Sequence, residues 1–121
     1  MITKGEVIPL LTDASPSFQY DEEVNTTTIE GLQQELKRFA SHLISLEFNN
    51  QLAHEPEIFE TIERLYTEGE AEVKESITIG LFETMYEMLS EQHITSEEIG
   101  RLLKPHYFKW WKTIEQFNKL S

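Results

Sequence analysis

Residues 67–90 read TEGEAEVKESITIGLFETMYEMLS, and this stretch decides the fold. Wound as a helix at about 100° per residue from Val73, it places Val73, Gly80, Thr84, Ile77, Met88, Leu81 and Met85 on one flank. Leu89, Phe82, Tyr86 and Ile79 fill a second flank, and Ser76, Glu83, Glu87 and Ser90 share the arc that is left. The apolar surface covers roughly 240° of the wheel, against the ~100° stripe of an ordinary surface helix. A helix so apolar is packed on two or three sides. The spacing therefore predicts the central helix of a small all-helical domain.

Working outward, Glu55-Pro56-Glu57 opens the preceding helix with a proline suited to the first turn and acids that complement the helix dipole. Ile58, Phe59, Ile62, Leu65 and Tyr66 form its stripe, and Gly69 is expected to end it as a left-handed cap. The two helices make an αα-hairpin over 55–90, in the style of a HEAT repeat. Upstream, Ile29, Leu32, Leu36, Phe39, Ala40, Leu43, Ile44 and Leu46 mark a helix over 28–49 capped by Thr28, with Lys37 and Arg38 outward. Residues 1–13 form a short helix with a Thr3/Glu6 capping box, which Pro9 should kink or shorten. Phe18 and Tyr20 serve as anchors in a polar connection. Residues 21–27 are loop, with an edge strand over 24–28 as the alternative. Downstream, Thr95 with Glu98 caps a short helix. Pro105 opens a last one bearing Tyr107, Phe108, Trp110, Trp111, Ile114, Phe117 and Leu120. Trp110 and Trp111 point about 100° apart on a helix, so one belongs to the core and the other to its rim. The fold class is all-α: a single domain over 1–121, five or six helices around 70–90.

The 121 residues suffice for one core. Net charge is −12, unevenly spread. Residues 1–54 carry eight acids and three bases, and residues 55–98 carry thirteen acids against Arg64 and Lys74. Residues 99–121 carry five bases against Glu115. Phosphate binding needs a basic footprint, so nucleic acid is not the expected partner. No apolar run approaches a membrane span, and MITKGEVIPLL, broken by Glu6 and Pro9, makes a poor signal peptide. The absence of cysteine suits the cytoplasm, the expected location.

Catalytic patterns are missing. His42, His54, His93 and His106 never pair at i+3 or i+4, and no Glu-x-x-His occurs, so no metal ligand set is expected. His42 should lie on its helix flank, hydrogen-bonded to a neighbour. There is no cysteine and no G-x-S-x-G, so no nucleophile is set up. The five glycines are scattered singly, so no loop cradles a cofactor phosphate. Carboxylate pairs such as Glu60 with Glu63 read as solvated helix faces. No catalytic, cofactor-binding or metal residue is assigned, and the expectation is a protein that is not an enzyme. Gly80 stands out because glycine costs about 1 kcal/mol against alanine inside a helix. Small neighbours Val73 and Thr84 suggest close approach of another helix backbone, with a ligand pocket as the alternative.

The run Glu6-Val7-Ile8-Pro9-Leu10-Leu11, Pro16-Ser17-Phe18, Phe39-Ala40-Ser41-His42-Leu43, Ile62-Glu63-Arg64-Leu65, Thr67-Glu68-Gly69, Val73-Lys74-Glu75, Thr78-Ile79-Gly80-Leu81 and Trp110-Trp111 resembles a group of small bacterial proteins grouped only as a domain of unknown function. Several of these are similar in size, acidity and style to immunity proteins that neutralise polymorphic or contact-dependent toxins. The resemblance implies a small helical cytoplasmic protein and fixes no binding residues. The leading expectation is a non-enzymatic inhibitor that plugs a basic toxin domain, such as a nuclease, with an acidic surface. Glu57, Glu60, Glu63, Glu68, Glu70 and Glu72 are the candidate contacts. The rival is a homo-oligomeric structural or adaptor protein that uses the aromatic C-terminal helix. A monomer is expected rather than a homodimer, since a monomer fits the inhibitor reading and an obligate dimer the rival.

Overall fold

A computed structural model describes residues 1–120, with side chains through Asn118. Six helices run among the described residues, and apart from one isolated bridge there is no strand. They are α1 (Lys4–Ala14), α2 (Ile29–Phe48), α3 (Pro56–Glu68), α4 (71–88), α5 (Ser96–Gly100) and α6 (Pro105–Leu120), with a single 3-10 turn at Leu52–His54.

Helix α2 starts where the Thr28 hydroxyl accepts the Gly31 N–H at 3.1 Å, satisfying one orphan donor of the first turn. Leu32, Leu36, Phe39, Ala40 and Leu43 are completely buried on its inner face, while Ile29, at the end of the same rhythm, is exposed. Glu35 is fully buried as well. Its carboxylate accepts from the Asp21 N–H at 2.8 Å and from Arg38 Nη1 at 2.9 Å. Arg38 also donates to the Gln19 carbonyl, so this buried charge staples the 19–21 loop to α2. Phe18 is the one aromatic anchor of that loop, edge-on to Phe39 at 4.9 Å; Tyr20 is exposed, contrary to expectation. Residues 24–28 form turns and no strand.

Helix α4 packs along α2 and is not uniformly α-helical. An α-helical start (Ala71–Ser76) passes without a break into a π-helical segment (Ile77–Glu83) and an α-helical end (Thr84–Met88). Val73, Ile77, Leu81, Met85 and Leu89 are all buried, one every four residues. In an ideal α-helix each four-residue step overshoots a full turn by about 40°, so such a run would soon rotate off the core. The wider i→i+5 turn absorbs that drift. It also breaks the single helical wheel, which corrects two expectations: Ile79 is turned outward at 41% exposure, and Ser76 is buried. Gly80 behaves as the sequence suggests. A Cβ there would sit 3.2 Å from Leu36 Cβ and 3.4 Å from Gln33 Cα, so α2 passes close against the π segment.

The α3–α4 turn differs from the expected left-handed cap. Gly69 has φ −77° and ψ 153°, an extended conformation, and forms a parallel bridge with Ile2. The Ile2 N–H donates to the Glu68 carbonyl at 2.7 Å, and the Glu70 N–H to the Ile2 carbonyl at 2.9 Å. Glycine is required here for space, because a Cβ would lie 2.3 Å from the Leu65 carbonyl oxygen. Helix α1 runs through Pro9 to Ala14 without being shortened, packing Val7, Ile8 and Leu11 inward, and Glu6 accepts the Thr3 N–H at 3.0 Å. Thr95 caps α5 by accepting the Glu98 N–H. On α6, Tyr107 and Trp111 are core, and Trp110 is the rim residue of the tryptophan pair. Phe108 and Phe117 are exposed and do not join the core; the Leu120 side chain lies outside the described residues. No described helix is long and apolar enough to cross a membrane.

Candidate functional site

The six acids singled out from the sequence separate into two groups. Glu57 and Glu60 are exposed on the outward face of α3 and have no ion-pair partner among the described residues. Advancing at about 100° per residue, they share that face with Arg64 and Glu68, which pair with each other at 3.1 Å. The other acids are engaged within the chain. Glu70 and Glu72 lie 3.5 and 2.9 Å from Lys4 Nζ, and Glu70 also accepts the Lys4 backbone N–H. The Glu72 hydrogen bond, ahead of the Coulombic pull of the same two acids, raises the Lys4 ammonium above its ordinary pKa. Glu70 and Glu72 thus clasp the N-terminal segment beside the Ile2–Gly69 bridge, while the Glu68 carboxylate stays on its own helix, paired with Arg64.

Glu63 points the other way on α3. Its Oε2 accepts both the backbone N–H of His106 and a hydrogen bond from the His106 ring, so it ties the first turn of α6 to α3. Its second oxygen is buried without a partner, as is the Tyr107 hydroxyl. Burial, then the nearby Tyr66 and Glu63, drives the Tyr107 phenol far above its ordinary pKa, so it stays neutral.

A surface that the sequence reading did not locate lies between α4 and α6. It is a groove of about 580 Å³ lined by Tyr66, Ile79, Trp110 and Ile114, with Lys74, Glu75, Thr78 and Glu83 along its α4 bank. A smaller depression lined by Tyr66, His106, Lys109, Trp110 and Thr113 adjoins it past α6. Trp110, Ile114 and Phe117 stand at i, i+4 and i+7, so α6 has a second apolar stripe beside its buried Tyr107–Trp111 face. That spacing is the signal the sequence carries for it. The Tyr66 ring is held in place by stacking on His106 at 4.9 Å, and Lys74 Nζ lies over it at 5.6 Å.

One cluster has the residue types of a hydrolase. Ser15 Oγ is 2.9 Å from His42 Nε2 and donates to Glu55 at 3.3 Å. In a catalytic triad the carboxylate holds the far nitrogen of the imidazole and leaves the hydroxyl open to substrate. Here the carboxylate takes the serine itself, and Ser15 is fully buried. The cluster pins α1, α2 and the loop before α3 together. Burial lowers the His42 pKa against a smaller opposing pull from Glu55, so the ring is neutral near pH 7. The described residues contain no group of three or more His, Asp or Glu side chains placed to hold a metal ion.

No curated protein and no solved structure matches the chain. A family model described as a domain of unknown function (DUF7674) matches residues 8–119, nearly the whole length, and the chain belongs to that family.

Proposed function

We propose that this protein is a non-enzymatic protein-binding module of the immunity type, which binds and blocks a basic toxin domain through an acidic surface. The observation that carries this reading is the exposed α3 face, where Glu57 and Glu60 lack internal counter-ions within a segment of thirteen acids and two bases. Unpaired carboxylates on a rigid helix attract a cationic cleft from a distance. They lose little of their charge to internal pairing, so they raise the encounter rate most at low salt. Once docked, the helical body occludes the cleft and keeps substrate out. Glu68, Glu70 and Glu72, paired with Arg64 and Lys4, flank the end of the same helix and contribute less. Glu63 adds the least, because it is committed to α6.

The test uses a basic toxin domain encoded beside this protein's gene. Reversing Glu57 and Glu60 to lysine should slow association by roughly tenfold at low ionic strength, with a much smaller effect at high salt. Equal on-rates for wild type and variant would refute the α3 assignment. Failure of every neighbouring basic domain to bind would refute the inhibitor reading itself.

A further inference from the structure

We infer that His106 is a phosphoryl-accepting histidine that reacts at Nε2, with Glu63 positioning its ring and Lys109 supplying the counter-charge. The Glu63 carboxylate takes the Nδ1 side of the imidazole, and a carboxylate can only accept, so the proton sits on Nδ1. In the neutral ring the lone pair is then left on Nε2, which has no hydrogen-bond partner among the described residues. A carboxylate behind an imidazole holds the ring and strengthens its far nitrogen as a nucleophile. Stacking on Tyr66 at 4.9 Å fixes the ring plane, yet the side chain is still half exposed.

An incoming phosphoryl group needs a positive charge beside it. Lys109 stands three residues on, about one helical turn away, and lines the same depression as His106. It has no ion-pair partner among the described residues, and a lysine ammonium serves phosphate as a point charge. His106 is also the second residue of α6, where the helix dipole favours the negative charge that phosphorylation adds. The other histidines lack this combination. His54 and His93 are exposed with no carboxylate on the ring among the described residues, and His42 turns its Nε2 to the buried Ser15.

The donor class is a phosphoramidate, whose phosphorus is held on a protonated nitrogen. The Nε2 lone pair forms the new P–N bond, the old P–N bond breaks, and its electron pair leaves with neutral ammonia. The Nδ1 proton stays between the ring and Glu63, whose charge offsets the cationic ring that forms. This step goes beyond the binding role proposed above and needs no protein partner, so the two readings fail independently.

Potassium phosphoramidate, added to the full chain at mildly alkaline pH and followed by phosphorus NMR and site-mapping mass spectrometry, tests the inference. His106 should be labelled at Nε2, and roughly tenfold faster than His54 or His93 in the same molecule, the low end of what a residue behind a histidine contributes. Glu63→Gln keeps an acceptor for Nδ1–H but removes the charge, and should bring the His106 rate down toward those two. If Glu63 only tied α6 to α3, losing it would expose the ring and speed labelling. Lys109→Ala, at an exposed site where folding stays intact, should slow His106 severalfold and leave His54 and His93 unchanged. Equal rates at His106, His54 and His93 would overturn the inference. So would labelling of His106 at Nδ1, or a His106 rate indifferent to both Glu63→Gln and Lys109→Ala.

Discussion

Ile79 and Gly80 are neighbours in sequence and opposites in role. Gly80 lies in a close contact between α4 and α2, where even a methyl group would press on Leu36. Ile79, one residue earlier, turns a large apolar side chain into an open groove. Both lie in the π-helical segment, so one local widening of the helix serves both. It keeps the four-residue apolar repeat on the core while directing one member of the apolar set outward. Within a single turn the two residues divide the helix: tight interhelical packing lies on the Gly80 side and exposed apolar surface on the Ile79 side.

The most damaging change on the Gly80 side is Gly80→Leu. The new side chain has nowhere to go against Leu36 and the Gln33 backbone, and α2 and α4 must separate. A loss of about 3 kcal/mol in urea unfolding is expected, at the upper end of overpacking costs. An unchanged midpoint would mean that α2 and α4 do not meet there. Next in size is Gly69→Ala, which sets a methyl 2.3 Å from the Leu65 oxygen. The turn must open, and the two hydrogen bonds to Ile2 open with it. About 2 kcal/mol should be lost, with faster amide exchange at Ile2 and Glu70. A loss of stability without that local exchange would place the strain elsewhere.

These two glycines show how far sequence reasoning reached. The caps at Thr28 and Thr95, the proline starts at 56 and 105, and the buried stripes of α2 and α3 are local patterns, readable because each depends on neighbours three or four residues away. Gly80 was legible because a glycine inside an apolar helix needs a steric reason. Gly69 was legible as a turn but not as an extended residue paired with Ile2, because its partner is 67 positions away in the chain. The π segment was hidden because a wheel drawn at 100° per residue assumes the geometry it is meant to test. The strict four-residue spacing from Val73 to Leu89 was its trace. The site fared worse than the fold. Lys4, Arg64 and His106 neutralise or recruit four of the six acids, and such pairings are set by tertiary packing. The burial of Glu35 was unreadable for the same reason.

Acidification probes a third region, at the α1–α2 junction, with a smaller effect. His42 is held below its ordinary value of 6.5 by burial, so the unfolded chain takes up its proton at a higher pH than the folded one. Its contribution is therefore complete above about pH 6.5 and is lost as pH falls from there through the folded value. Glu47 opposes this at lower pH. Burial and the neighbouring Glu98 raise its pKa, so the folded state gains stability as that carboxyl is protonated. Replacing His42 with glutamine should flatten the stability–pH curve between about pH 6.5 and 5, a window set by the imidazole's ordinary value and lying above that of a carboxyl. If the slope persists in His42→Gln, another group carries it.

The smallest effect belongs on the Ile79 side and completes the contrast. In one chain the Ile79 side chain is 41% exposed and lies on the groove wall, so Ile79→Ala removes little buried surface and leaves no cavity. Unfolding should shift by no more than about 0.5 kcal/mol, the range of ordinary surface substitutions. A loss of about 2 kcal/mol or more in urea unfolding would return Ile79 to the core, and the distinction between the two sides of the π segment would collapse.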